Sequence, residues 1–314
     1  MLIWVLTDGK AGDEVQCLGV AEELGGQIEL RHVAARAPWS WLAPWGPVSP
    51  SDRPGHPESP IRAPFPDCAI ASGRQAVPFL RLLKKLSPKT YTVFLKDPKT
   101  GADTADLIWV PEHDSLRGEN VMTSITPPHR LTAAKLQAAR RSGDPRLDKI
   151  KSPRVAVLVG GKSQHHHFTA TDISLFIEKL QQLITSGAHL MITASRRTPS
   201  SLISALEQLV KSKSGHFLWD GTGDNPYLPM LATADYIVAT TDSFNMIGEA
   251  TATGKPILAF EPSGGHPKLS RFIAHLVDYG AVHPLTGHLE GRPYNPLDVT
   301  QLIACRIKER MADR

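Results

Sequence analysis

The stretch Ala239-Thr-Thr-Asp242-Ser243-Phe-Asn245-Met-Ile247-Gly-Glu249-Ala250-Thr251-Ala-Thr-Gly254-Lys-Pro256 decides how the rest of the chain is read. Apolar residues from Tyr236 precede it and Ile257-Leu-Ala-Phe260 follows, so two short β-type runs bracket a segment whose apolar residues recur at helical spacing. Asp242 or Ser243 is placed to cap the helix, Ile247, Ala250 and Thr251 share one face, and Gly254 with Pro256 ends it. The unit is therefore strand, helix, strand. The first-turn N–H groups of such a helix face the preceding loop, which suits a phosphate, and Glu249, about two turns in, is placed to accept from sugar hydroxyls. An ordinary crossover helix of a parallel sheet would show the same pattern.

Working outward, the second half repeats the alternation. Arg154 to Val159 reads as a strand leading into Gly160-Gly161-Lys162-Ser163, and a helix follows Thr171. Gly-Lys-Ser is not a P-loop here, because the position that should carry the first glycine is Ala156. A double glycine after the first strand of a domain still offers backbone N–H groups to an anion, so phosphate contact is expected at Gly160, Gly161, Lys162 and Ser163. His165, His166 and His167 lack a carboxylate or Cys/His partner at ligand spacing and read as loop residues, so no metal is expected. The strand Ala188 to Thr193 ends in Ser195-Arg196-Arg197, whose guanidinium groups can fork onto a diphosphate. Phe217-Leu-Trp219-Asp220 ends another strand, and Leu297 to Met311 reads as a C-terminal helix.

The first half is built the same way. Leu2 to Leu6 is a buried-strand run, followed by the loop Thr7-Asp8-Gly9-Lys10-Ala11-Gly12-Asp13-Glu14 and a helix from Val15 to Leu24. Further strands are read at 28–33, 67–71, 91–95, 107–110 and 121–125, with a helix carrying Phe79, Leu80 and Leu83. The segment 37–66 differs. It is proline-rich, carries Trp39, Trp41 and Trp45, and has Arg36, Arg53 and Arg62 beside it, so neither a regular helix nor a central strand is expected. Its tryptophans fit a loop docking at a lipid headgroup boundary, or equally a plug folded back on the domain. The organisation expected is a first α/β domain over 1–140, a polar linker at 141–153, a second α/β domain over 154–296, and the helix 297–314 returning to the first.

Composition excludes several classes. With 314 residues, 41% hydrophobic and 21% charged, the chain is long enough for two folded cores. The net charge of +4 is shared by both halves, so there is no basic arm and nucleic acid is not implied, while anionic nucleotides or an anionic membrane surface suit it. The three cysteines are far apart and read as buried thiols of a reducing compartment. No apolar run is long enough to span a membrane, and the N-terminus lacks a basic leader, so a cytoplasmic protein is expected, including one peripheral on the membrane face.

The run Ser243 to Pro256 resembles the donor-nucleotide motif of GT-B glycosyltransferases, in which a serine-bearing loop and helix N-terminus hold the diphosphate and a glutamate holds the ribose. Taken with Thr7-Asp-Gly-Lys-Ala-Gly12, Ser72-Gly-Arg74, Gly160-Gly-Lys-Ser163, Thr193-Ala-Ser-Arg-Arg-Thr-Pro199 and Asn225-Pro-Tyr227, the chain resembles the bacterial branch of the mitochondrial fission "elongated mitochondria" family over nearly its whole length. Where the bacterial pattern often has His after Gly12, this chain has Asp13. The resemblance implies two doubly wound Rossmann-like domains facing across a cleft. It implies a transferase moving a sugar from a nucleotide-diphosphate sugar to an acceptor, lipid-linked acceptors included, without a further cofactor. Bacterial members are sometimes labelled nucleoside-diphosphate-sugar epimerases, and plant members recruit a dynamin-related protein to the mitochondrial surface, so an epimerase and a non-catalytic scaffold are the alternatives. In the transferase reading Asp13, with Asp8 second, is the base; Lys10, Arg196, Arg197, Ser243 and Asn245 meet the diphosphate; Glu249 holds the ribose; and Trp219 and Asp220 flank the nucleobase.

Overall fold

The computed structural model describes residues 1–314. Contacts divide the chain into one unit of Met1–Arg130 with Asp298–Arg314 and a second of Leu131–Leu297.

The first unit runs β1 (Leu2–Thr7), α1 (Ala11–Leu24), β2 (Gln27–His32), the single turn α2 (Trp39–Leu42), a 3-10 turn at Pro50–Asp52, β3 (Cys68–Ala71), α3 (Ala76–Leu86), β4 (Tyr91–Leu95), β5 (Leu107–Pro111) and β6 (Val121–Ser124). Its six strands are ordered β2-β1-β3-β4-β5-β6 and pair in parallel throughout. Ile3, Trp4, Val5 and Leu6 are all fully buried, the unbroken apolar run expected of a strand covered on both faces. One face packs on α1 and the other on α3, where Val48 and Ile61 of the proline-rich segment join Trp4, Phe79 and Phe94. That segment thus covers sheet surface which a crossover helix would otherwise cover. Helix α1 begins at Ala11, four residues earlier than its apolar pattern indicates, and holds Asp13 and Glu14 in its first turn, where carboxylates complement the helix dipole.

The second unit runs α4 (Ala133–Ser142), β7 (Arg154–Val159), α5 (Ala170–Thr185), β8 (His189–Ala194), α6 (Ser200–Lys211), β9 (Phe217–Leu218), α7 (Tyr227–Thr233), β10 (Tyr236–Thr240), α8 (Phe244–Thr251), β11 (Ile257–Phe260), α9 (Pro267–Asp278) and β12 (Val282–Pro284). The strand order is β12-β11-β10-β7-β8-β9, again all parallel. The opening stretch folds as read: Ser243 caps α8, its buried face is Ile247, Gly248, Ala250 and Thr251, and Gly254 takes a positive φ of 68°. Helix α4 has no counterpart in the apolar pattern. It is started by Thr132, whose hydroxyl accepts from the Lys135 N–H at 3.2 Å, and it packs on α7. It therefore belongs to the second unit, ahead of the polar stretch 141–153.

The last helix, α10 (Val299–Ala312), returns to the first unit. Val299, Ile303, Ala304 and Ile307 enter the same core as Ile3, Val5 and Cys17, and the Thr300 hydroxyl bridges the His129 N–H and carbonyl, both at 2.9 Å. No helix is long and apolar enough to cross a membrane.

Candidate functional site

In the second unit the strand order reverses between β7 and β10, and in parallel sheets the crevice beyond the carboxyl ends of such strands is where ligands settle. Four loops meet that edge: Gly160–His167 after β7, Ser195–Pro199 after β8, Thr241–Ser243 after β10 and Glu261–His266 after β11.

The first loop corrects an expectation. The Gly160 N–H donates to Thr240 Oγ1 at 2.8 Å, the Gly161 N–H to Asp242 Oδ2 at 2.9 Å, the Lys162 N–H to the Arg197 carbonyl at 3.1 Å and the Ser163 N–H to the His166 carbonyl at 3.0 Å. All four are already satisfied by protein, so the loop is not an anion nest. The double glycine has a steric cause instead. A Cβ at Gly160 would fall 2.5 Å from Asp242 Cγ, and one at Gly161 would meet the Arg197 backbone. Asp242 is likewise occupied: its side chain is fully buried, it accepts from Thr240 Oγ1 at 2.7 Å, and Arg197 Nη2 lies 3.7 Å from its Oδ2. Asp242 therefore clamps the β7 and β10 loops together rather than facing a ligand. Ser163 turns its hydroxyl inward to accept from the N–H groups of His165 and His166, at 3.3 and 3.0 Å.

Helix α8 starts at the same edge. Ser243 Oγ accepts from the Met246 N–H at 3.4 Å, and Asn245 lies in the first turn. Glu249, half-buried, accepts a 2.7 Å hydrogen bond from Tyr227 Oη at the start of α7. Burial raises the Glu249 carboxyl above its ordinary range, with the Tyr227 hydrogen bond pulling the other way, and burial and the neighbouring carboxylate push the Tyr227 hydroxyl well up. Tyr227 sits in the Asn225-Pro-Tyr motif, but its tie to Glu249 is one that the sequence does not reveal.

The β11 loop zips onto the β7 loop. The His167 N–H donates to the Ser263 carbonyl at 3.0 Å, the Gly265 N–H to the His165 carbonyl at 2.8 Å, and the His165 and His266 rings lie 4.5 Å apart, tilted by 40°. His166 is buried beneath, which holds its pKa below the usual imidazole value.

Ser195 and Arg196 line a cavity of about 650 Å³ with Leu206, Leu218, Trp219 and Asp220. Trp219 Nε1 donates to the Thr222 carbonyl at 2.8 Å and Asp220 accepts from the Thr222 hydroxyl at 2.7 Å, so the turn that carries both is self-braced. Arg196 is exposed on the cavity rim, whereas Arg197 turns back toward Asp242 and the Lys162 carbonyl. From β10 to β9 is three strand spacings, roughly 14 Å, along which the α8 N-terminus and this cavity lie at opposite ends.

In the first unit the carboxyl ends of β1, β3 and β4 bring charges together. Asp8 is paired with Lys10 at 2.6 Å and Asp13 with Lys96, and the two carboxylate side chains are only 4% and 7% exposed. Both lie against Gly73, where a Cβ would come within 3.2 Å of Asp8 Oδ1 and 3.3 Å of Asp13 Oδ2. Asp8 Oδ1 has no hydrogen-bond partner. The exposed members are the lysines. Lys96 holds a φ of 111°, a conformation that non-glycine residues adopt at a cost and that clusters at functional sites. It was not legible in the sequence, since only the fold brings β4 to Asp13. Beside it a cavity of about 380 Å³ is lined by Gly73, Arg74, Phe94, Lys96, Lys99 and Trp45.

Of the three loop tryptophans, Trp39 is half-buried while Trp41 and Trp45 are 76% and 67% exposed, so the latter two are not a hydrophobic plug.

Two wound α/β units, each with polar loops at the carboxyl ends of its strands and a last helix returning to the first, make this a GT-B-like protein. The chain belongs to the family described as Mitochondrial fission ELM1, whose pattern it matches over residues 11–311. It is 25% identical over 276 residues to Mitochondrial fission protein ELM1 of Arabidopsis thaliana, covering 79% of this chain but 65% of that protein, so it spans slightly less than two thirds of that relative's length. It is also 25% identical to an uncharacterized protein of Rickettsia prowazekii (strain Madrid E), with 98% of each chain covered. Among solved structures it resembles the UDP-GlcNAc 2-epimerase of Methanocaldococcus jannaschii with a TM-score of 0.59 and 11% identity, all of both chains being covered. The Neisseria meningitidis UDP-GlcNAc 2-epimerase bound to UDP-GlcNAc gives 0.53 at 12% identity, covering 99% of this chain and 92% of that one. The kitacinnamycin glycotransferase gives 0.53 at 13%, covering 99% and 93%. At these identities the structural likeness concerns the fold.

Proposed function

We propose that the chain is a glycosyltransferase that moves a sugar from a nucleotide-diphosphate sugar to an acceptor hydroxyl, lipid-linked acceptors included. The observation that carries this reading is Glu249, half-buried and hydrogen-bonded to Tyr227 below the Ser243-capped start of α8, at the strand-order reversal of the second sheet. A partly desolvated carboxylate braced by a phenol is suited to a ribose diol, and the helix N-terminus to a diphosphate. The cavity beside Trp219 and Asp220 lies at the far end of the strand row from α8, too far for the base of a nucleotide whose ribose is held by Glu249. That the structural relatives include an epimerase described as bound to UDP-GlcNAc supports the donor class.

Acceptor activation is assigned to the first unit. A carboxylate there takes the proton of the acceptor hydroxyl, the oxygen attacks the anomeric carbon, and the bond to the diphosphate breaks with its electron pair leaving on the phosphate oxygen. Asp13 is the base, with Asp8 second, and Lys96 must release Asp13 for the proton to be taken. The exposed Arg196 guanidinium supplies a cation to the departing diphosphate, charge that a metal would otherwise provide.

A second reading is favoured by a specific observation. Asp8 and Asp13 are buried and ion-paired, and the N–H groups of the β7 loop are internally used, as they would be in a scaffold that binds no nucleotide. Thermal unfolding with UDP, GDP and CDP and their sugars separates the two. A ligand at 100 times its Kd stabilises by about 2.7 kcal/mol, a rise of roughly 5–10 °C for a unit of this size. Glu249→Ala should abolish the rise, and Asp13→Ala should keep it while stopping turnover. If no nucleotide shifts the transition, the transferase reading fails. Turnover that leaves the nucleotide attached to an altered sugar would make the protein an epimerase instead.

A further inference from the structure

The first unit displays a surface that the transferase reading does not use. Trp41, Leu42 and Trp45 are exposed, with Leu86 41% exposed on α3. This display is not a loose loop. Arg74 Nε donates to the Ala43 carbonyl at 2.6 Å and its Nη2 to the Trp41 carbonyl at 3.2 Å, while Arg81 Nη1 reaches the Trp45 carbonyl at 3.4 Å. Val48 beyond it is buried in the core. The backbone is thus pinned at several points while the indole rings are left in solvent, the reverse of what burial of apolar surface would produce on its own.

Next to Trp45 runs a groove of about 560 Å³ with apolar walls that include Val48, Pro78 and Leu82. Three cations line it, Arg53, Arg81 and Lys85, and no acidic residue does. None of the three is ion-paired to a carboxylate, although Lys84 on the same helix pairs with Asp106 and Arg36 with Glu58. Unpaired cations over an apolar groove, flanked by exposed indoles, are complementary to one environment above others: an anionic headgroup layer over hydrocarbon.

We infer that this face of the first unit docks on an anionic lipid bilayer, with Trp41, Leu42 and Trp45 entering the headgroup boundary and Arg53, Arg81 and Lys85 receiving lipid phosphates. The inference goes beyond the transferase reading, because adhesion needs neither nucleotide nor turnover. Trp45 also lines the cavity that holds Lys96, so docking sets that cavity beside the bilayer.

The test is sedimentation of the full chain with vesicles of 30 mol% phosphatidylglycerol in phosphatidylcholine, against vesicles of phosphatidylcholine alone. Wild type is expected to bind the anionic vesicles, to bind the neutral ones at least tenfold more weakly, and to be released as salt is raised. Trp41→Ala with Trp45→Ala, and separately Arg53→Glu with Lys85→Glu, should each weaken binding by about tenfold or more while leaving thermal unfolding unchanged, since these four side chains are exposed. A readout independent of any variant is quenching of wild-type tryptophan emission by vesicles carrying brominated acyl chains. Inorganic phosphate at millimolar concentration should not compete, whereas complete displacement by it would mean a soluble anion site and overturn the bilayer assignment. Absence of binding to anionic vesicles, equal binding to neutral ones, or no quenching by brominated chains would also overturn it.

Discussion

Gly160→Ala tests whether the Asp242 clamp organises the second unit. The added Cβ would lie 2.5 Å from Asp242 Cγ, about 1 Å inside ordinary carbon contact distance. The carboxylate cannot simply swing aside, because it accepts from the Gly161 N–H at 2.9 Å and Thr240 Oγ1 at 2.7 Å. Relief therefore requires either strain, about 1–3 kcal/mol for an overpacked methyl group, or the loss of a hydrogen bond to a charged group, about 1.5–3 kcal/mol. Either route gives a destabilisation of about 1–3 kcal/mol, or a fall of roughly 2–12 °C in the transition of the second unit. Calorimetry measures the transition, and hydrogen exchange on peptides covering β7 and β10 assigns it to that unit. Because the clash is with one side chain, Gly160→Ala combined with Asp242→Ala should be less destabilised than the sum of the two single variants by 1 kcal/mol or more. A Gly160→Ala protein within about 0.5 kcal/mol of wild type, or a double variant that is strictly additive, would refute the clamp.

Two further perturbations follow from the same geometry. Burial raises the folded-state pKa of Glu249, so the native protein holds that proton where the unfolded chain has released it; stability should fall as pH rises from the ordinary carboxyl range through the raised folded pKa. Glu249→Gln removes that fall and should be more stable than wild type near neutral pH, with little difference below the ordinary carboxyl range, as read by urea unfolding across pH. Thr300→Val keeps the shape of the side chain but removes both of its hydrogen bonds to the His129 backbone, costing about 1–3 kcal/mol in the first unit, and Thr300→Ser should restore most of it. Emission of Trp4 and Trp109, both buried in that unit, reports the loss; an unchanged midpoint would mean the apolar face of α10, from Val299 to Ile307, suffices to hold it.

Much of the architecture is written in local pattern. Near-continuous apolar runs at Leu2–Leu6, Tyr91–Leu95 and Val155–Val159 are legible as strands because a parallel sheet covered on both faces favours such runs, and the last helix is visible as an amphipathic segment after the final loop. The cap, narrowed to Asp242 or Ser243, and Gly254 as the stop were equally readable, since capping and positive φ are satisfied within a few residues. Helix α4 was not, because its apolar face is short and is fixed by packing on α7, nor was β12, whose three residues are too few to show a period.

The site divides along the same line. Residue types were legible: glycines at strand ends, paired arginines, a glutamate inside a crossover helix, tryptophans among prolines. What each does was decided by partners far away in the chain. Gly160 and Gly161 looked like an anion nest until Thr240 and Asp242 took their N–H groups; Asp13 looked like an open base until β4 brought Lys96 to it; Glu249 acquired Tyr227 from α7. Sequence fixes the helices, strands and turns, because their energetics run over neighbours. Which polar atoms stay available is a tertiary matter, because a buried donor or acceptor takes whatever partner the packed fold delivers.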